Sequence, residues 1–333
     1  MGGTGLKVSH LCLGAMMFGA WGNTDQDDCV RIIHTALDGG VNFLDTADVY
    51  SKGESEEIVG RALKGRRDQV VLATKFHAKM GDDPNMGGNS RRWAQRACDD
   101  SLRRLGTDWI DVYQVHRSDP AVDLDETLGA LSDLVHAGKV RYLGSSTFPP
   151  SAIVEAQWVA ERRHRERFVC EQPPYSIFVR GVERDVLPTC QRHRMGVIAW
   201  SPLNGGWLTG KYRKGQEPPP GSRGARNWAG RFGTPESQRK LDLVEDLLKV
   251  AADAGISLTH LAQAWVVRHP AVTSAIVGPR TMEQLTDLLA GQDVTLDDAV
   301  LDRIDELVAP GTDVNPGDAG WTSPALAPAA RRR

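Results

Sequence analysis

The sequence predicts a single (α/β)8 TIM barrel, with a short N-terminal β-hairpin ahead of it and a long loop after the seventh strand. Three observations carry that expectation. Eight short runs rich in Val, Ile and Leu alternate with longer stretches of helical period. Most are spaced by about thirty residues, the length of a right-handed β–α–β crossover. No Gly-x-Gly-x-x-Gly follows the first run, which removes the usual mark of a doubly wound dinucleotide fold. A length of 333 residues is generous for an ordinary domain and normal for one barrel with insertions.

The elements follow in order. Strand Leu11–Gly14 precedes a helical pattern at about 27–39, and Asn42–Asp45 precedes one at 53–63. Val70–Lys75 leads to 90–104, Ile110–Gln114 to 125–137, Tyr142–Ser146 to 151–163, and Phe168–Gln172 to 181–193. Each pattern begins near a polar residue and several end at Gly, as helix caps require. After Gly196–Trp200 the spacing lengthens: a Pro/Gly/Arg-rich segment, KGQEPPPGSRGARNWAG, comes before a charged helix at about 235–254, a helix at 257–268 and the last strand, Ser274–Val277. A loop of that length is functional rather than a linker, and it is suited to act as a lid. The barrel is assigned to 1–309. The Pro/Ala-rich stretch 310–333 is expected to be a flexible or loosely packed tail.

Composition excludes several classes of function. Hydrophobic residues make up 41 % and charged residues 25 %, the balance of a globular chain. The net charge is −3 and the body carries no basic block, so no nucleic-acid partner is expected. No apolar run is long enough to span a membrane, and MGGTGLKVSH lacks the apolar core of a signal peptide. The chain therefore reads as cytoplasmic, without a membrane partner. Five scattered cysteines, with no Cys-x-x-Cys, read as reduced, packed thiols, with no metal site expected. Gly205–Lys211 fits Gly-x4-Gly-Lys, but Tyr212 stands where a P-loop needs Ser or Thr. No oligomerisation signature is readable.

In such a barrel the carboxyl ends of the strands face the active site. Polar groups gather at that end: Asp45, Lys75, His116, Ser146, Gln172 and Ser201 end or follow six successive strands. Taken singly, each has an ordinary reading as a cap, a surface charge or a satisfied loop residue. Together an acid, a lysine and a histidine converge on one mouth, with Tyr50 five residues beyond Asp45. A neighbouring ammonium favours the phenolate and is expected to lower the tyrosine's pKa, while Asp45 keeps a desolvated Lys75 charged. A neutral His116 could hold a substrate oxygen beside the Tyr50 hydroxyl. Such a group donates a proton to a carbonyl that is receiving a hydride.

These residues resemble the aldo-keto reductase superfamily, on the branch similar to potassium-channel β subunits. The resemblance covers about residues 3–308 and rests on ordered matches: Gly3–Gly19, Asp45–Tyr50, Ala73–Lys75, Gln114–Asp119, Gly138–Ser146, Trp200–Leu203, Leu208–Tyr212 and Ile276–Leu285. It implies a barrel that binds NADPH along the strand ends and reduces an aldehyde, ketone or keto-sugar. Tyr50 would be the general acid, tuned by Lys75 and Asp45, with His116 orienting the carbonyl. Ser146, Thr147 and Gln172 would hold the nicotinamide carboxamide and Trp200 would stack on the ring, with Gly14, Ala15, Met16 and Asp45 bordering it. Ser201, Pro202, Leu203, Asn204 and Gly206 would line the pyrophosphate, with Lys211 and Arg223 reaching over it. Gly278, Arg280, Gln284 and Asp287 would hold the adenosine end, Arg280 on the 2′-phosphate. Departures stand at Thr147 and Leu288, where the family favours Asn, and at Ala15-Met16 in place of Thr-Met. Trp21, Phe76, His77, Arg117 and Trp228 are candidates to line the substrate pocket. Two alternatives remain open: a cofactor-binding regulatory subunit with little turnover, or a ketoreductase dedicated to one pathway, such as a deoxysugar pathway. The regulatory branch usually lacks the histidine found here at 116.

Overall fold

The computed structural model describes residues 1–222, 224–225 and 232–330. Eight strands, β1 (Leu11–Gly14), β2 (Phe43–Asp45), β3 (Val71–Phe76), β4 (Ile110–Val115), β5 (Val140–Ser146), β6 (Phe168–Gln172), β7 (Gly196–Trp200) and β8 (Val272–Val277), close in sequence order into a barrel. Every neighbouring pair is parallel. The register aligns the carboxyl ends: Gly14 pairs with Asp45, Lys75 with Gln114 and Ser146 with Gln172.

The two-residue period of a strand then sorts the side chains. Cys12, Phe43, Ala73, Val112, Cys170 and Ile198 form one buried apolar cluster inside the barrel, closed by Met1. Two residues further along their strands stand Asp45, Lys75, Gln114, Gln172 and Trp200, on the same inward face. An apolar plug therefore supports a polar layer at the mouth.

Helices cover the outside: α1 (Gln26–Asp38), α2 (Glu54–Leu63), α3 (Arg91–Leu105), α4 (Leu124–His136), α5 (Pro150–Arg163), α6 (Val186–Arg192), α7 (Pro235–Asp253), α8 (Leu258–Arg268), α9 (Met282–Ala290) and α10 (Asp298–Leu307). Asp25, Ser90, Thr234, Ser257, Thr281 and Asp297 cap helix starts by accepting an N–H of the first turn. None of these helices is long and apolar enough to cross a membrane. All five cysteines are buried and unpaired by disulfide.

Three expectations need correction. The N-terminus forms no hairpin. Met1 tucks beneath the barrel, where its ammonium donates to Leu6 O at 2.5 Å and its thioether lies so close to Gly196 that a Cβ there would sit 2.7 Å from Sδ. The turn fixed by Thr4 bonding back to Met1 O leaves no second strand to pair. The helix expected at 181–193 is a 3₁₀ turn, Gly181–Glu183, followed by α6. Pro188 has no N–H and is tolerated only within a first turn, so the helix restarts at Val186. The tail, finally, is anchored over its first ten residues. Asp313 accepts the Gly181 N–H at 2.8 Å, Val314 donates to Phe178 O at 2.9 Å, and the Asp318 carboxylate takes Asn204 Nδ2 at 3.2 Å together with Lys240 Nζ.

Candidate active site

Lys75 is fully buried, and its three ammonium donors meet three acceptors: Asp45 Oδ1 at 2.5 Å, Thr46 O at 2.8 Å and Tyr50 OH at 3.2 Å. The other Asp45 oxygen accepts Gln172 Nε2 at 2.8 Å and Gln114 Nε2 at 3.1 Å. Four strands thus contribute to one connected network at the barrel mouth.

Tyr50 reaches this network because its loop doubles back. It begins a tight turn in which Ser51, Lys52 and Gly53 all have left-handed backbones, φ 48°, 57° and 98°. Such conformations are costly for Ser and Lys and persist where surrounding contacts over-determine them. Here Ser51 Oγ donates to Phe18 O at 3.2 Å, and Ser55 Oγ to Ala15 O at 2.8 Å. The Tyr50 ring meets His116 edge-on, centroids 5.8 Å apart, and Trp21 at 6.0 Å.

Burial sets the protonation states. It would strip the proton from Lys75, but Asp45 and Tyr50 outweigh it and hold the ammonium above its ordinary pKa. Burial also pushes the Tyr50 phenol above 10, and Lys75 recovers only part of that rise. The expected lowering by the lysine is therefore not the net result, and the phenol stays protonated at neutral pH. Burial and the charge of Lys75 press His116 well below the usual imidazole range, so its ring is neutral. Asp48, buried beside this loop, is pushed up to about 8 by burial and by Glu56. Mostly protonated at neutral pH, it adds little negative charge near Lys75.

A cleft of about 720 Å³ opens from this network and runs along the strand ends. Gly14, Met16, Trp21, Asp45, Tyr50, His116, Arg117, Ser146, Gln172 and Trp200 are among the residues that line it. Ser201, Pro202, Leu203, Gly206, Lys211, Gly278, Arg280, Gln284 and Asp287 line the rest of it. Gly206 has φ 97°, a left-handed backbone that favours glycine.

Several expected residues are not on this surface. Ala15 is fully buried and contributes its N–H to Asp45 O at 2.8 Å. Asn204, φ 46°, turns its amide away to Lys240 and Asp318. Thr147 stands behind Trp200, accepting the indole N–H at 3.3 Å. Phe76 is buried and stacked on Tyr113 at 5.0 Å, and His77 Nδ1 pairs with Asn89 Oδ1 at 2.9 Å. Arg223 and Trp228 lie outside the described residues. The cleft adds Met17, Val49, Thr209, Ser222, Thr259, Ile276 and Val277. Of these, Ile276 and Val277 were findable, because they end β8 at the same rim.

The lining fits a dinucleotide. A flat indole, the cations Lys211 and Arg280, and bare backbone at Gly14, Gly206 and Gly278 line it together. Arg280 is braced, donating its own N–H to Gln284 Oε1 at 2.8 Å and Nη1 to Gly221 O at 3.0 Å.

Comparison with known proteins agrees with this geometry. A family model described as the aldo/keto reductase family matches residues 10–309. The uncharacterized oxidoreductase YrpG of Bacillus subtilis is 40% identical, covering 98% of this chain and 98% of its own length. The aldo-keto reductase YhdN of the same organism is 36% identical over 86% of this chain and 85% of its own. A Schizosaccharomyces pombe protein provisionally named a voltage-gated potassium channel subunit β is 35% identical over 92% of both chains.

Proposed function

The chain belongs to the aldo/keto reductase family and is an oxidoreductase, and from this we propose that it is an NADPH-dependent reductase of aldehydes, ketones or keto-sugars. The observation that carries the reading is the Lys75 ammonium bonded at once to Asp45 and to the Tyr50 hydroxyl, beside a neutral His116.

In this reading a carbonyl oxygen sits between Tyr50 OH and the His116 ring. Bound nicotinamide supplies the hydride. As charge builds on the oxygen, Tyr50 donates its proton, and Lys75, fixed by Asp45, stabilises the phenolate left behind. His116 orients the oxygen by hydrogen bonding without carrying charge. Ser146 and Gln172 would hold the carboxamide, Trp200 would face the ring, Ser201–Leu203, Gly206 and Lys211 would line the phosphates, and Gln284 and Asp287 the adenosine. The barrel assignment of 1–309 is kept within this proposal.

Arg280 is the residue proposed to favour NADPH over NADH. Its guanidinium is suited to a 2′-phosphate, where a charge-assisted bond is worth roughly 1.5–3 kcal/mol. Arg280→Ala is expected to weaken NADPH binding by roughly 10- to 100-fold and to leave NADH binding nearly unchanged, measured by fluorescence titration. An equal loss for both cofactors would remove that role.

The pH profile follows from the protonation states. Reduction needs the phenol protonated and the imidazole neutral. With the Tyr50 pKa raised above 10 and that of His116 well below 6.5, kcat for reduction at saturating cofactor should stay level through neutral pH. It should fall only in alkali above the ordinary phenol value. A titration near 6.5 would contradict the neutral, buried His116.

The test of the reading is NADPH oxidation by the purified protein against aldehydes, diketones and keto-sugars. Turnover supports it. Tight NADPH binding without turnover on any carbonyl would favour the regulatory alternative that the channel-subunit relative suggests.

A further inference from the structure

Arg117 stands out among the arginines of the described residues that are at least partly buried. Arg67, Arg104 and Arg180 each lie within ion-pair distance of a carboxylate: Asp111, Glu56, and Glu183 with Asp305. Arg117 has no such partner among the described residues. Its Nη1 donates to His116 O at 2.6 Å and to Thr147 Oγ1 at 3.2 Å, and its remaining donors bond to no described group. It lines the cleft together with Tyr50, His116 and Trp200.

The placement is built rather than incidental. Asn89 Nδ2 holds the Arg117 carbonyl at 3.0 Å, while His77 Nδ1 pairs with the Asn89 amide oxygen at 2.9 Å and Thr127 Oγ1 donates to Asn89 O at 2.9 Å. Thr147, which takes Nη1, also takes the Trp200 indole N–H, so guanidinium and indole are fixed to one hydroxyl. The buried acid Glu171, on β6, is engaged by Ser145 Oγ and by the Phe148 N–H at 3.1 Å and acts on Arg117 through its field, outside ion-pair distance. A partly desolvated cation with no carboxylate in direct contact is costly, and a fork of open donors matches a carboxylate or phosphate oxygen pair.

We propose that Arg117 is a substrate anchor, and that the carbonyl compound this protein reduces carries an anionic group, carboxylate or phosphate, within a few bonds of the reacting carbon. The proposal rests on the carbonyl-reductase reading for the position of that carbon. It assigns a specificity role to the residue directly after His116.

The test compares matched substrates and needs no variant to begin. Carboxybenzaldehydes are set against their methyl esters, and glyceraldehyde 3-phosphate against glyceraldehyde, as the carboxylate and phosphate arms. Wild-type kcat/KM is expected to favour the anion of at least one pair by roughly 10- to 100-fold. Arg117→Met should erase that preference mainly through KM, lowering kcat/KM for the anion by at least roughly 10-fold more than for its neutral partner, and Arg117→Lys should restore part of it. Equal wild-type rates within both pairs, or an equal loss for neutral and charged substrates in Arg117→Met, would overturn the proposal. Calorimetric titration with benzoate and phenyl phosphate against benzamide reads the anchor without turnover. Anion binding lost in Arg117→Met, with no carbonyl reduced, would uphold the anion site while the reductase reading fell. Carbonyl reduction without anion preference or anion binding would do the reverse.

Discussion

Tyr50→Phe is expected to lower carbonyl reduction by about 10²- to 10⁴-fold while leaving NADPH affinity nearly unchanged, because general acid catalysis is worth that much and the ring itself is retained. The phenylalanine keeps the contacts with His116 and Trp21 and loses only the hydroxyl that meets Lys75 Nζ at 3.2 Å. One hydrogen bond of that kind contributes about 1 kcal/mol, so the fold should survive. Steady-state rates together with a cofactor titration separate the two effects. Near wild-type turnover would remove Tyr50 as proton donor, whereas parallel loss of cofactor binding would point to a collapsed loop.

Lys75→Met is expected to harm both chemistry and stability. The methionine fills the volume but leaves Asp45 Oδ1, Thr46 O and the tyrosine hydroxyl without their common donor. Breaking a fully buried ion pair from one side costs about 3–5 kcal/mol, because a charge remains uncompensated. Denaturant unfolding should show that loss. Turnover should fall by about 10²-fold or more, since the phenolate formed on proton transfer loses its ammonium. A variant that unfolds like the wild type would mean that Asp45 and Lys75 are not coupled in solution. One that is destabilised yet catalytically normal would confine the lysine to a structural role.

Much of this arrangement was legible in the chain because strand ends are legible. β1, β6 and β7 begin and end where the apolar runs do, and closing the barrel then brings Asp45, Lys75, Gln172 and Trp200 to one rim. The failures have specific causes. Phe76 and His77 are pocket candidates by their place at the strand end, yet alternation along β3 turns Phe76 to the opposite face, against Tyr113. The family resemblance implies Asn204 on the pyrophosphate, and a left-handed backbone aims it at Lys240 instead. Helices α9 and α10 were not anticipated, although Thr281 and Asp297 cap them in the ordinary way. The tail looked loose by composition, and long-range bonds to Asp313 and Asp318, invisible to composition, hold its first ten residues. The sign of the Tyr50 shift also depended on burial, which only the folded loop reveals.

The most direct test of the central claim is a single-turnover experiment, in which protein carrying bound NADPH is mixed with an excess of a reactive aldehyde and both cofactor oxidation and alcohol formation are followed. The account predicts that one equivalent of cofactor is oxidised for each alcohol formed, at a rate level through neutral pH and lost in Tyr50→Phe. NADPH that binds tightly in the cleft yet is oxidised by no carbonyl compound, or is oxidised equally fast in Tyr50→Phe, would contradict it.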